Sequence, residues 1–461
     1  MIIGILITIF LSLILYKDTF NAYFFQDDWF NLKISTVHKL SDFFMFFIPR
    51  QDVTFYKPLG MQIPFYLLKT LFGLNPLPFH ILAFITHVFN IILVYLISLK
   101  ISQKKNISLF ISFLYGTSAI FYTQLFWPSA YSFLIGPTTF FLSFLFFLQF
   151  IDRKKKIFYY LSLIIFSLGI FTNEMVNVFP LVISFYLLMS GLRKFWKYVI
   201  PFFFLSFTLI FGRFLLFAPP LEGSYQLVFG KHILTNLEAY ILWSLNLPEE
   251  LKAQLVSFWK LNPLFIQNFP QLTRLIYVSL FISFCAFFLF PLFYIKKTSI
   301  IERKKILFGL GWFILGLLPV IFFSKHSFSY FLAIPAAGFY FTVGTLILII
   351  ISKAKKIFSI ILVAIIILNW LITSFTTIDF NKNVHFAPRR SKISQELVDR
   401  AKKNYPNQKQ KSIIYVPDSS ENKLSLNYQD AFQVILGGSI EIVYGSSPMA
   451  PKDTIPTKMV Q

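Results

Sequence analysis

MIIGILITIFLSLILYKDTFNAYFFQDDWF, residues 1–30, decides the reading of the fold. Its first sixteen residues carry no charged side chain, long enough with a little tilt to enter a bilayer, and Lys17-Asp18 close the run. The acidic pair Asp27-Asp28 follows inside FFQDDWF, residues 24–30, flanked by aromatics of the kind that settle at the membrane–water boundary. The opening segment has no charged n-region and no small-residue cleavage site before Lys17, so it reads as a retained anchor rather than a cleaved signal. Two carboxylates held at that boundary point to chemistry on something dissolved in the bilayer.

The rest of the chain agrees. Of 461 residues 56% are hydrophobic, 20% aromatic and only 13% charged, against about 25% charged in a soluble domain. Apolar windows near 20 residues recur, each matched to a hydrocarbon core of about 30 Å. The expectation is an all-α polytopic membrane protein. A net charge of +22 would suit a nucleic-acid binder, but the basic residues cluster in short loops: 100–105, 153–156, 193–197, 296–305 and 353–356. The positive-inside rule explains that distribution through orientation, so no nucleic acid is expected. Eleven spans follow, at about 1–16, 77–99, 106–125, 131–151, 157–173, 175–192, 198–217, 273–295, 306–323, 329–352 and 356–377. The N-terminus is then cytoplasmic and the C-terminus extracytoplasmic. The abundance of Lys, Ile and Phe suggests an AT-rich prokaryotic gene and a bacterial plasma membrane. Cys285, the only cysteine, lies in an apolar span and forms no intramolecular disulfide.

In this scheme the cytoplasmic loops are short and the sizeable polar segments lie outside. The bundle takes residues 1–378, with outer loops at 17–76 and 218–272, and the tail takes 379–461. Within the first loop Leu59 to Phe72 is apolar enough to lie along the interface. Within the second, Ile233 to Leu247 is a candidate re-entrant or capping segment. The tail shifts to Lys, Asn, Gln, Ser and Pro. It reads as a small α/β appendage: an amphipathic helix over Ser391 to Lys403, strands over Ser412 to Val416 and Ser439 to Tyr444, and a turn at Gly437-Gly438. No internal repeat and no paired broken helices of the transporter kind are visible.

Asp27 and Asp28 are the first candidates for chemistry, weighed against an ordinary loop or helix N-cap. A carboxylate at the interface can act as general base on an acceptor hydroxyl when an activated donor is near. A sugar on a lipid phosphate already carries a good leaving group. It needs cationic neutralisation rather than a general acid, unlike the two carboxylates of glycoside hydrolysis. The outer side supplies Arg50, Lys57, Arg213, Lys231, His232, Lys325 and His326. Arg213, in FGRFLLF, either snorkels or serves the donor, and Lys325-His326 lie at the surface where a lipid phosphate would be. Glu174, in FTNEMVN, sits at an outer turn where helix capping is the alternative. His80 and His87 lie seven residues apart on one helical face, lack metal-ligand spacing and read as packed residues. Asn90, Asn173 and Asn236 read as interhelical polar glue. No Walker loop, GxSxG or CxxC is present. The transfer requires no cofactor. An Asp pair can hold a divalent cation, but a full ligand set is not visible.

From Lys57 the chain reads KPLGMQIPFYLLKTLFGLNPLPFHILAFITHVFN to Asn90. This resembles the start of GT-C glycosyltransferases related to protein O-mannosyltransferases and to the transmembrane O-mannosyltransferases with TPR tails. Their Arg-Pro-Leu, GLNP, His and His-x-x-Asn recur in order as Lys57-Pro58-Leu59, Gly73 to Pro76, His80, and His87 with Asn90. Weaker matches fall at Asn173-Glu174 with Pro180, and at Lys325, His326, Tyr330 and Pro335. The resemblance covers roughly residues 1–350. It implies a GT-C fold and inverting transfer from a polyprenyl-phosphate sugar at the outer face. It also implies that Asp27 is the base with Asp28 supporting. Arg50, Lys57, Lys325, His326 and Arg213 would face the donor phosphate, and His80, His87, Glu174 and Tyr330 would support the site. The chain departs from the pattern where Lys57 replaces an Arg and loses its bidentate grip. Gln124 replaces a Glu ahead of Trp127, and the late Arg-Tyr is not intact at Tyr330. The acceptor is a protein, a lipid or a glycan. The competing readings are a transporter or flippase of lipid-linked saccharides and a catalytically inactive scaffold.

Overall fold

The apolar stretches read above as spans are largely helical among the described residues. The structure, a computed structural model, describes residues 2–50, 53, 55–216, 223, 225–257, 259–296, 298–404, 412–437 and 440–445. Among the described residues seven helices are long and apolar enough to cross a membrane, or eight if Lys105–Gly116 and Ala119–Phe126 form one bent span. The expectation of eleven full spans is thus corrected. Lys156–Gly169 has 14 residues, about 21 Å at 1.5 Å per residue, short of the ~30 Å core. The run over 175–192 begins as a 3₁₀ turn, Glu174–Val178, before the helix Phe179–Met189. Ile300–Leu317 opens with Glu302, Arg303, Lys304 and Lys305, which keep its first turns out of hydrocarbon.

The expected span 106–125 breaks and bends by 42° between Gly116 and Ala119. Asn246 satisfies the freed backbone and side chain there. Its Oδ1 accepts from the Ala119 N–H and the Ser118 hydroxyl, each at 2.9 Å, while the Tyr16 hydroxyl donates to the Ser118 carbonyl. Irregular backbone at membrane depth is tolerated only when buried and partnered in this way. Phe140, Phe141, Phe144, Phe179, Phe308 and Trp312 fill the middle of the bundle with edge-to-face and stacked rings. Ile300–Leu317 and Pro335–Lys353 approach closely through Gly309 and Gly338, where an added Cβ would meet the other glycine's carbonyl at 2.8 Å.

The first loop folds as the helix Asp27–Ile34, a π turn Pro58–Gln62 and the helix Ile63–Phe72. That last helix buries Phe65 and exposes Leu67, Leu71 and Phe72, as an interfacial segment would. In the second loop the expected capping run is the helix His232–Ser244, packed on the 3₁₀ turn Ser329–Ala333. The tail helix is longer than expected, Phe386–Asn404, and follows the last span Lys356–Val384 across His385. Strands Ser412–Val416 and Ile440–Tyr444 pair in parallel, Ser412 opposite Ile440. Gly437 ends the helix Asp430–Leu436 at φ 98°, whereas Gly438, Ser439 and residues 446–461 lie outside the described residues. The tail packs on the first loop: Trp29, Leu32 and Phe65 share one core with Val398, Val416 and Phe432.

Candidate active site

Asp27 and Asp28 begin a helix, at the end whose free N–H groups favour negative charge. Successive helical residues point about 100° apart, so the two carboxylates part company. Asp28 is fully buried. Its Oδ1 accepts from the Ser129 N–H at 2.7 Å and hydroxyl at 2.6 Å, and its Oδ2 from the Phe25 N–H at 3.0 Å. Burial pushes its carboxyl up to about 8, against the pull of the Ser129 and Phe25 donors, and the Asp27 charge adds to the rise. Asp28 ties the first loop to the Trp127–Ser129 turn. Asp27 is half-buried, and among the described residues no hydrogen bond or ion pair engages its carboxylate. Burial raises it to about 6, held back by the positive charge of Arg390. A carboxyl poised near neutrality with free oxygens is suited to take a proton.

The residue ahead of the pair is strained. Gln26 lies at φ 51°, ψ −127°, a region glutamine occupies at a cost on the order of 1–3 kcal/mol. On the bundle side, Gly60 lets the Lys57 segment lie against the 169–173 turn, because an added Cβ would run into the Thr172 carbonyl oxygen. The Leu59 N–H donates to the Phe171 carbonyl at 3.1 Å. Lys57 thereby meets Glu174 at 3.0 Å and lies 4.7 Å over the Phe133 ring. Exposed Arg213 adds a second positive charge near Glu174. Phe133 packs at 4.6 Å on Tyr330, whose hydroxyl is 3.1 Å from His326 Nε2. The Tyr225 ring sits 4.1 Å from His326. Burial raises the Tyr225 phenol to about 12, and the charges of Asp27 and Glu174 add to the shift, so both carboxylates act on it electrostatically. Asp27, Lys57, Glu174, Arg213, Tyr225, His326 and Tyr330 thus form one neighbourhood.

Two expectations change, at His326 and Arg50, while His80 and His87 pack as their spacing suggests. His326 is not a cation at neutral pH: burial, then the Lys57 charge, takes it down to about 4. It offers a hydrogen bond instead. Arg50 lines a separate small cavity with Ile34, Phe46, Val53, Phe55 and Gln62. His80 and His87 are buried behind the site. The His80 ring nitrogens lie 3.0 Å from the Leu125 and Ala22 carbonyls, and His87 Nε2 lies 3.0 Å from the Gly116 carbonyl. They hold backbone rather than a ligand. Lys325 is exposed beside His326. Gln124 is buried and donates to the Tyr330 carbonyl at 3.1 Å. Asn236 does more than join helices. Its Nδ2 donates to the Ile321 and Phe323 carbonyls at 2.8 and 2.9 Å, and its Oδ1 accepts from Lys252 and Ser327, fixing the loop that carries His326. The sequence reading missed Gln26, Tyr225, Ser129 and Arg390. It also missed Glu249, which accepts from the Ser329 N–H at 2.7 Å. Among the described residues no group of three or more His, Cys, Asp or Glu side chains is placed to hold a metal ion.

The chain matches no protein-family model and no curated protein. Among solved structures it is similar to the oligosaccharyltransferase of Archaeoglobus fulgidus, crystallised with an acceptor peptide containing the NVT sequon tethered through a disulfide bond. The TM-score is 0.50 at 11% identity, over 96% of this chain and 64% of that one, so the chain spans less than two thirds of its neighbour's length. The likeness is one of fold: an all-α, multi-pass membrane bundle of the GT-C-like kind with a small C-terminal appendage.

Proposed function

We propose that this protein is a membrane glycosyltransferase that moves a sugar from a polyprenyl-phosphate donor to an acceptor hydroxyl at the extracytoplasmic face. The reading rests on one observation above the others. Asp27 presents an unengaged, half-buried carboxylate of raised proton affinity in the same neighbourhood as Lys57 and Arg213. The acceptor O–H gives its proton to Asp27 as its oxygen attacks the sugar's anomeric carbon. The bond from that carbon to the phosphate oxygen breaks on the opposite face, and the polyprenyl phosphate leaves with the electron pair. Inversion follows. Lys57 and Arg213, with Lys325 at the rim, offset the charge of the leaving phosphate, and His326 with Tyr330 supplies hydrogen bonds. Asp28 acts through Ser129 to hold the turn beneath.

The GT-C-like fold supports this reaction class, and the narrower resemblance to protein O-mannosyltransferases makes mannose the first sugar to test. A protein is the first acceptor to try, because the fold neighbour holds an acceptor peptide. The test uses the full chain in liposomes with polyprenyl-phosphate sugars and hydroxyl-bearing acceptor peptides, lipids and glycans. Asp27→Asn should lower transfer by roughly 10²–10⁴-fold, the usual contribution of a positioned base. Unchanged transfer in that variant would sink the proposal.

A further inference from the structure

The tail closes around the residue that precedes the proposed base. Gln26, at φ 51° and ψ −127°, holds a conformation that glycine takes freely and other residues avoid. Its carbonyl accepts from the Trp29 N–H at 3.1 Å within the loop, and its N–H and side chain are both held by the tail. Its N–H donates to the Ser425 carbonyl at 3.0 Å, and its side-chain oxygen accepts from Arg390 Nη1 at 2.6 Å. Arg390 is itself fixed: its Nε and Nη2 donate to Glu421 at 3.3 Å, and its guanidinium lies 5.0 Å over Phe386. The same helix pins both flanks. The Tyr23 N–H donates to Ser391 Oγ at 2.8 Å, and Trp29 Nε1 donates to Ser394 Oγ at 2.9 Å. Asp27 has no bond of its own to aim it, so its direction is set by the backbone on its N-terminal side.

We infer that Arg390 and Ser425 are positioning residues for Asp27, acting through Gln26, and that the tail thereby completes the catalytic base. This rests on the reading of Asp27 as base. Arg390 also stands as the positive charge that offsets burial at Asp27. Replacing it removes that influence, so the acid limb of a pH–rate profile moves upward. A tail that only covered apolar surface would not move it.

The experiment compares wild type, Arg390→Met, Gln26→Gly and the double variant as full chains in liposomes. It reads kcat, donor KM, the acid-limb inflection, and deuterium uptake of the segment 23–31. Arg390→Met should lower kcat roughly 10- to 100-fold, the scale of a misaimed catalytic group, with donor KM unchanged and the inflection shifted up. Adding Gln26→Gly should restore most of kcat, since glycine holds the turn unaided, and leave the inflection shifted because the charge is still missing. An Arg390→Met enzyme with wild-type kcat and inflection overturns the inference and leaves the base reading intact. So does a loss that glycine fails to restore. If wild type itself transfers no sugar, the base reading fails and exchange decides the clamp. Faster uptake in Arg390→Met then supports it, and equal uptake overturns it.

Discussion

Two walls meet at Asp27, and they are built to different rules. The bundle wall is open-handed. Arg213 and Lys325 are exposed, and the Lys57 ammonium has Glu174 for its ion pair. The tail wall is closed: Arg390 has Gln26, Glu421 and the Phe386 face, and Ser425 and Ser394 each hold a donor from the first loop. A cation with an uncommitted donor can accept a phosphate without disturbing its neighbours. A guanidinium whose nitrogens are all engaged can only hold geometry. On the proposed reading, one part of the chain holds the donor and another aims the base.

The contrast can be broken first at its centre, where Asp27→Asn carries the largest expected loss. Lys57→Met is the next step down on the open wall. Losing one charge-assisted contact of about 1.5–3 kcal/mol should cut kcat/KM by roughly 10- to 150-fold and act on donor KM. A pure kcat effect would move Lys57 out of the phosphate role. Beneath the pair, Asp28→Asn leaves a buried donor unmatched, costing about 1–3 kcal/mol and lowering the apparent Tm in detergent. That gap has a sign in pH. Asp28 binds its proton more tightly in the folded chain, with its pKa raised from 3.8 to about 8. Its contribution is therefore present in full at low pH and declines as pH rises from about 4 toward 8. The wild type should accordingly lose its Tm advantage over Asp28→Asn across that window, and a constant gap would contradict the assignment. The smallest effect belongs to the rim of the closed wall. Lys33 bonds Asp430 at 2.8 Å but is half-exposed, so Lys33→Ala should cost no more than about 1 kcal/mol and leave kcat unchanged.

Much of the bundle was legible because hydrocarbon imposes a length and a polarity on each crossing. What hydropathy does not register is a break. Gly116 to Ala119, Gly-Thr-Ser-Ala, is too short an interruption to end a hydropathy window, and the bend is made tolerable by Tyr16, Asn246 and Ser374, all distant along the chain. The acidic pair announced itself, but its division of labour did not. Adjacency in sequence suggests a shared task, while one step along a helix turns Asp28 inward to Ser129 and leaves the Asp27 carboxylate without a hydrogen-bond partner among the described residues. Lys57 was readable through its Lys-Pro-Leu-Gly context; its engagement with Glu174 was not, because that needs the Gly60 contact with Thr172. Arg390 had no local signal. It lies just ahead of the stretch read as an amphipathic helix, Ser391 to Lys403, and its contact to the loop depends on a partner 364 residues away.

That separation has a consequence in time. Gln26 is synthesised long before the carbonyl that receives its N–H, which belongs to Ser425. At about 5–20 residues per second, on the order of 20–80 seconds of synthesis pass between the two. Throughout that interval the loop bearing Asp27 lacks half its frame. On the proposed reading the base is therefore framed only once the tail is made, and a chain cut short before Ser425 carries Asp27 without that part of its frame.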